Sequence, residues 1–200
     1  PGTAKLGPNA SYNYTPTAGY VGSDSFTYTL TDKDGDVVTA TANITVSSAG
    51  NPTISITDNN GATAGQVTVS EAGLAAGTLH DGSNSANGTM TVTAPNGLSS
   101  IDFGATNVTL AQLNNLASTP VTIATADGSV KLTGYNSSTG VISYTYSISA
   151  PQTAAGPSVT DSLSVTVRDA SSQTVSTTLT ASITNDAPVA TNDTITTTTG

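Results

Sequence analysis

Strict alternation of apolar and polar residues is the feature that most limits the folds open to this chain. Over residues 38–46, one Thr or Asn separates each apolar residue from the next, and the apolar members are Val38, Ala40, Ala42, Ile44 and Val46. A period of two is that of a β-strand with one buried face and one face in water. Shorter runs of this kind occur at 26–30, 54–56, 67–69, 90–92, 121–123, 141–148, 163–167 and 175–183. Gly-containing turn signals separate many of these runs, so we predict an all-β protein built from β-sandwiches.

One segment departs from this pattern. Within residues 109–117, Leu110, Leu113 and Leu116 recur every three residues. That spacing is closer to a helix than to a strand. We therefore predict one short helix near 109–117 that caps the sandwich.

Composition excludes several functional classes. Four Lys and Arg face thirteen Asp and Glu, for a net charge of −9, and there is no Cys. The few cations exclude a nucleic-acid binder that relies on clustered Lys and Arg. The absence of Cys excludes disulfides, zinc–thiolate sites and thiol catalysis. No apolar run is long enough to span a membrane, and no signal peptide opens the chain. The 39 Thr and 25 Ser are explained as the outward half of alternating strands.

An internal repeat gives the domain boundaries. Residues 24–47 align without gaps on 161–184, and both segments begin with Asp-Ser and carry a second Asp eight residues later. Upstream, residues 11–15 match 143–147, and residues 2–6 match 128–132. We predict that residues 1–48 are the C-terminal half of a sandwich module and that 49–185 form a complete module. Because the tail resembles residues 51–58, we predict that 186–200 are the first strand or linker of a next module.

The residues of these modules resemble a known family. The stretch YNYTPTAGYVGSDSFTYTLTDKDGD resembles the cadherin-like and VCBS-type repeats of giant, type I-secreted adhesins of the bacterial repeats-in-toxin group. The opening PTISITDNNG, the middle VTLAQLNNL and the closing TNDAPVATND resemble the long extender repeat of the same proteins. This resemblance implies Ig-like, cadherin-like antiparallel sandwiches in tandem, Ca²⁺ at loops and junctions, and a role at the bacterial cell surface in adhesion and biofilm formation.

The acidic loop Asp32-Lys33-Asp34-Gly35-Asp36 is the clearest chemical signal. Ca²⁺ prefers six to eight oxygen ligands, and alternating Asp residues around a Gly bend direct several of them to one point. The alternative is an ordinary solvated hairpin turn, since Asp and Gly are common turn formers. At the aligned loop of the second copy, 169–172, two of the carboxylates are missing, which predicts weak metal binding there or none.

A second metal site is predicted at a module junction. Glu71 is the only Glu in the chain, and with Asp58 and Asp186 it offers carboxylates for an ion between modules. The alternative is that Glu71 is an isolated surface residue. The first junction, residues 47–52, has no carboxylate, which predicts that it bends more.

Catalysis finds no support in the sequence. His80 and Asp81 are adjacent, but no nucleophile elbow accompanies them. Together with the resemblance given above, this predicts a non-enzymatic, Ca²⁺-stabilised extender repeat. Its expected role is that of a spacer whose partners are neighbouring repeats of the same chain, with no nucleic-acid partner and no membrane insertion. One alternative is a surface-filament subunit joined to neighbouring copies by strand donation. Another is a polysaccharide-binding module, with Tyr12 and Tyr14 or Tyr144 and Tyr146 as the aromatic platform, although each pair shares one strand face that favours packing.

Overall fold

The computed structural model describes residues 2–8, 11–61, 65–152 and 156–186. Strands account for most of the regular structure in these ranges, which confirms the all-β prediction. The strands are β1 Gly2–Leu6, β2 Tyr12–Pro16, β3 Gly22–Thr31, β4 Val37–Val46, β5 Thr53–Ile56, β6 Val67–Ser70, β7 Ser85–Thr93, β8 Leu98–Phe103, β9 Thr106–Thr109, β10 Val121–Ala124, β11 Ser129–Asn136, β12 Val141–Ser147, β13 Ser158–Asp169 and β14 Thr174–Thr184.

Two five-stranded sheets form the sandwich between residues 53 and 184. One sheet has the order β10-β11-β12-β7-β5, and the other has the order β6-β14-β13-β8-β9. Neighbouring strands are antiparallel except for β6 and β14, which run parallel. This single parallel pair differs from the expected antiparallel arrangement.

The core lies between the two sheets and is made by the alternation seen in the sequence. In β12 and β13, buried apolar residues alternate with more exposed Ser and Thr residues. The largest fully buried side chains include Tyr144, Tyr146, Phe103 and Met90. Apolar burial of this kind is the main contribution to the stability of such a module.

The predicted helix is present as a single turn, α1, Leu110–Leu113. Thr109 caps it, because its side chain accepts a hydrogen bond from the Gln112 N–H while the Gln112 side chain binds the Thr109 N–H. Turns follow rather than further helix, and Leu116 is as fully buried as Leu113. The three-residue leucine spacing thus anchors a capped turn to the core.

The N-terminal residues repeat the pairing of the C-terminal ones. Strands β1 and β2 pair in the same register as β11 and β12: Ala4 lies opposite Tyr14 as Val130 lies opposite Tyr146. Strands β3 and β4 likewise pair in the register of β13 and β14. Following the predicted division of the chain, we call the described residues of 2–48 the half-module and those of 51–186 the complete module.

Burial separates the two units. No described residue of 2–48 is buried, whereas Tyr144, the counterpart of Tyr12, is 1% exposed and Tyr12 is 51% exposed. In the complete module Tyr144 is covered by β7, and no described strand pairs with β2 in that way. The half-module therefore leaves strand edges and inward-facing apolar side chains open, including Leu6, Tyr12, Tyr28, Leu30 and Val38. The tail 187–200, predicted to begin a next module, lies outside the described residues.

Candidate metal site and module junction

The acidic loop closes the hairpin between β3 and β4. The Asp32 carboxylate accepts hydrogen bonds from the backbone N–H groups of Asp34, at 3.2 Å, and Asp36, at 2.8 Å. The Asp32 N–H donates to the Asp36 carbonyl at 3.0 Å. Gly35 has φ +97°, in the left-handed region that favours glycine. These features explain why Asp32 and Gly35 occupy this turn.

Three carboxylates converge on this loop. One oxygen from each of Asp32, Asp34 and Asp36 lies within 4.8 Å of the others, and all three residues are exposed. No other described residues form such a group. Hydrogen bonding to the Asp34 side chain and to the backbone N–H groups of Asp36, Asp34 and Gly35 lowers the pKa of Asp32. An all-oxygen, anionic set fits a hard cation such as Ca²⁺, with other oxygens completing the shell.

The aligned loop of the complete module has the same backbone with different side chains. The Asp169 carboxylate accepts from the N–H groups of Ser171, at 2.9 Å, and Gln173, at 2.8 Å, as Asp32 does from Asp34 and Asp36. Ser172 has φ +66° at the position of Gly35. Because this loop closes without carboxylates at 171 and 173, Asp34 and Asp36 are not needed to form the turn.

The other three predicted ligands lie elsewhere. Asp58 is exposed, and its carboxylate accepts from the N–H groups of Asn60 and Gly61. Glu71 is 4% exposed, and its carboxylate accepts from the N–H groups of Gln152, at 2.5 Å, and Asp186, at 3.3 Å. The structure therefore places Glu71 beside Asp186, whereas Asp58 forms no three-carboxylate group with them.

Asp186 is held by Thr78. One Asp186 oxygen accepts from the Thr78 N–H and the other from the Thr78 hydroxyl, both at 2.8 Å. Glu71 and Thr78 thus bind the chain where it leaves β14. In the described structure Glu71 accepts hydrogen bonds from two backbone N–H groups and Asp186 accepts from an N–H and an O–H, so their local role is to fix the end of the module.

A buried tyrosine–aspartate pair was not singled out from the sequence. Asp161 is 2% exposed, and its carboxylate accepts from the Tyr146 hydroxyl, at 2.8 Å, and from the Thr125 hydroxyl. Burial and the bond to Asp161 raise the pKa of Tyr146. Tyr14 donates to Asp24 at 2.6 Å in the half-module, and this bond raises the pKa of Tyr14 to about 12. The signal available in the sequence was a Tyr and an Asp at aligned positions of both copies.

His80 and the tyrosines of β12 occupy positions that suit a structural role. His80 is an exposed loop residue with φ +53°, and its Nε2 lies 2.8 Å from the Ala75 carbonyl. Tyr144 and Tyr146 are buried between the sheets. These two rings are therefore not available as a platform for a sugar.

The junction between the two units is formed by a turn and a linker. Asn96, in the turn between β7 and β8, contacts the linker residues Ser48, Ala49 and Gly50 and also the Asp169 carboxylate. A second contact joins Ser171 to Gly19 at 2.9 Å. Asn96 was not among the predicted site residues, because those were carboxylates and the Asn96 side chain is an amide.

Comparisons with known proteins agree with this architecture. Residues 1–45 match the family model of the bacterial Ig domain. The half-module is therefore similar to a bacterial Ig domain. The comparison with curated proteins found no match.

One solved structure similar to the chain is that of mouse clustered PcdhgC3 EC1-3. The sequence identity is 12%, the match covers 91% of this chain and 50% of that chain, and the TM-score is 0.34. The chain spans half the length of that structure, and at this TM-score the likeness carries no argument about function. Among the described residues, no helix has the length and apolar character needed to cross a bilayer.

Proposed function

We propose that this chain is a non-enzymatic, calcium-stabilised spacer segment of a bacterial cell-surface adhesin. The observation that carries the proposal is that the same pair of hairpins occurs twice along the chain, in the same register. Repetition of a sandwich unit through a short linker extends a chain, and it needs no active site. The match to a bacterial Ig domain supports a location outside the cell.

Calcium enters this proposal at the loop of Asp32, Asp34 and Asp36. Bound Ca²⁺ would neutralise the mutual repulsion of these carboxylates. An ion that binds the folded chain and not the unfolded one stabilises it, by about 2.7 kcal/mol at a free concentration 100 times Kd. Asp34 and Asp36 are the informative positions, because the turn at 169–173 closes without their carboxylates.

A calcium titration tests this function. We expect calorimetry to detect Ca²⁺ binding to the wild-type chain and a higher melting temperature in Ca²⁺ than in EDTA. The double variant D34N/D36N should lose both effects. D81N is the matched control, because Asp81 is also an exposed turn residue whose carboxylate accepts a backbone N–H, that of Ser83. Identical melts of the wild-type chain in Ca²⁺ and EDTA, or equal losses in D81N, would contradict the calcium proposal.

A second candidate function is a filament subunit joined by strand donation. The observation that favours it is the open half-module, where Leu6 is 84% exposed and Tyr12 is 51% exposed. A strand from another copy would cover these side chains and pair with the open edges. Sedimentation velocity distinguishes the two functions: a concentration-dependent series of oligomers supports the filament, and a monomer at all concentrations supports the spacer.

A further inference from the structure

The linker between the half-module and the complete module is held by one amide side chain. Asn96 Nδ2 lies 2.7 Å from the Gly50 carbonyl and 3.2 Å from the Ser48 hydroxyl. Asn96 Oδ1 accepts from the Ala49 N–H at 2.8 Å. Three consecutive linker residues therefore bind the same side chain, which limits rotation of the backbone where the units meet.

Asn96 is in turn held by a buried carboxylate. Its Nδ2 lies 2.9 Å from Asp169 Oδ2, and Asp169 is 1% exposed. The other Asp169 oxygen is occupied by the Ser171 and Gln173 N–H groups. Reversing the Asn96 amide would place its oxygen against a carboxylate and a carbonyl, so the hydrogen-bond partners determine its orientation. Asn96 thus couples the linker to a buried carboxyl group of the complete module.

A second attachment lies on a different part of the half-module. The Ser171 hydroxyl donates to the Gly19 carbonyl at 2.9 Å. Gly19 has φ +76°, and a Cβ at this position would overlap the backbone and side chain of Ala170. Two attachments at separated points, residues 48–50 and residue 19, restrict both bending and twisting of one unit against the other.

The side chains at this junction suit hydrogen bonding in place of metal binding. Ser171 stands where the half-module has Asp34, and a carboxylate there would meet the Gly19 carbonyl with no proton to donate. Asp169 is the only carboxylate among the residues of these contacts, and its oxygens are already bonded.

We propose that Asn96, Asp169 and Ser171 form a calcium-independent clamp that fixes the orientation of the half-module on the complete module. The partner that this surface fits is the preceding Ig-like unit of the same chain, recognised through its linker backbone and its Gly19 turn. The clamp does not depend on the calcium loop proposed above. The proposed clamp is contrary to the expectation that the junction at residues 47–52, which lacks a carboxylate, bends more than the second junction.

The test measures distances between the two units in the full chain. The chain has no Cys, so T41C and S164C, at exposed sites on β4 and β13, give a single pair of spin labels. Double electron–electron resonance should give a narrow distance distribution that is the same in Ca²⁺ and in EDTA. N96A should broaden it, and S171A should broaden it to a smaller extent.

N107A is the matched control for N96A. Asn107 also donates its amide to a carboxylate, that of Asp102, but this bond joins β9 to β8 and involves no linker residue. The distance distribution of T41C/S164C carrying N107A should match that of T41C/S164C alone. Circular dichroism reports whether each variant is folded, and S171A alone carries the test if N96A does not fold. A folded N96A or S171A with an unchanged distribution would overturn the clamp, and so would broadening of the parent distribution by EDTA. Either result leaves the calcium titration of the acidic loop to be judged separately.

Discussion

The buried Tyr146–Asp161 hydrogen bond offers a quantitative test of what stabilises the complete module. Y146F removes one hydroxyl and leaves the ring, so the packing of the core is nearly unchanged. Asp161 is 2% exposed and keeps its bonds from Thr125 and the Ser162 N–H. It loses the 2.8 Å bond from Tyr146. Hydrogen bonds to charged groups contribute about 1.5–3 kcal/mol, and a buried carboxylate short of a donor is costly.

We therefore expect Y146F to lower the free energy of unfolding by about 2 kcal/mol, equivalent to about 5–10 °C in melting temperature. Urea unfolding followed by circular dichroism measures the change. Y14F is the control, because Tyr14 donates to Asp24 in the aligned pair outside the buried core. It should leave the main transition within about 0.5 kcal/mol of the wild-type chain, as surface substitutions usually do.

A double-mutant cycle with D161N isolates the bond itself from other effects of each substitution. The coupling energy should account for most of the loss seen in Y146F. The reasoning would be refuted if Y146F costs no more than Y14F, or if Y146F and D161N are additive.

Two further predictions concern the buried tyrosines. Burial raises the pKa of Tyr144 from the ordinary 10.0 to about 12 and also raises that of Tyr146. Above pH 10 the unfolded chain therefore releases protons that the folded chain retains. The free energy of unfolding should fall by about 1.4 kcal/mol per pH unit for each ring. A free energy of unfolding that stays constant between pH 10 and 12 would contradict this. G88A should destabilise the module by about 1–3 kcal/mol, because the added Cβ would overlap the buried Tyr144 ring. G134A is its control in the urea melt, since a Cβ there meets nothing within 4 Å; equal costs would refute the steric argument.

The fold was predictable where the pattern of side chains is local. Alternation indicated β4, β12, β13 and β14, because each presents one apolar face over seven or more residues. Strand β8 was not predicted by alternation, because Ser99 and Ser100 interrupt its apolar residues. Ser100 is nevertheless buried. Strands β1 and β11 were indicated only by the repeat alignment.

The site shows the same division between local and distant contacts. Asp32, Asp34 and Asp36 were identifiable because all three belong to one turn. Asn96 and Asp169 are 73 residues apart, and Glu71 binds the backbone of Gln152 at a separation of 81 residues. Such pairs depend on how the sheets pack, and no spacing rule in a single sequence indicates them.

The two aligned hairpin loops have the same backbone and different side chains at two positions. Both close through an Asp carboxylate that accepts two backbone N–H groups, at Asp32 and at Asp169. The turn therefore leaves its second and fourth following positions free to vary without loss of the fold. At 34 and 36 these positions are carboxylates exposed to solvent. At 171 a hydroxyl contacts the preceding unit. Variation at these two positions therefore separates an exposed carboxylate cluster from a contact with the preceding unit, because the backbone that presents them is the same in both loops.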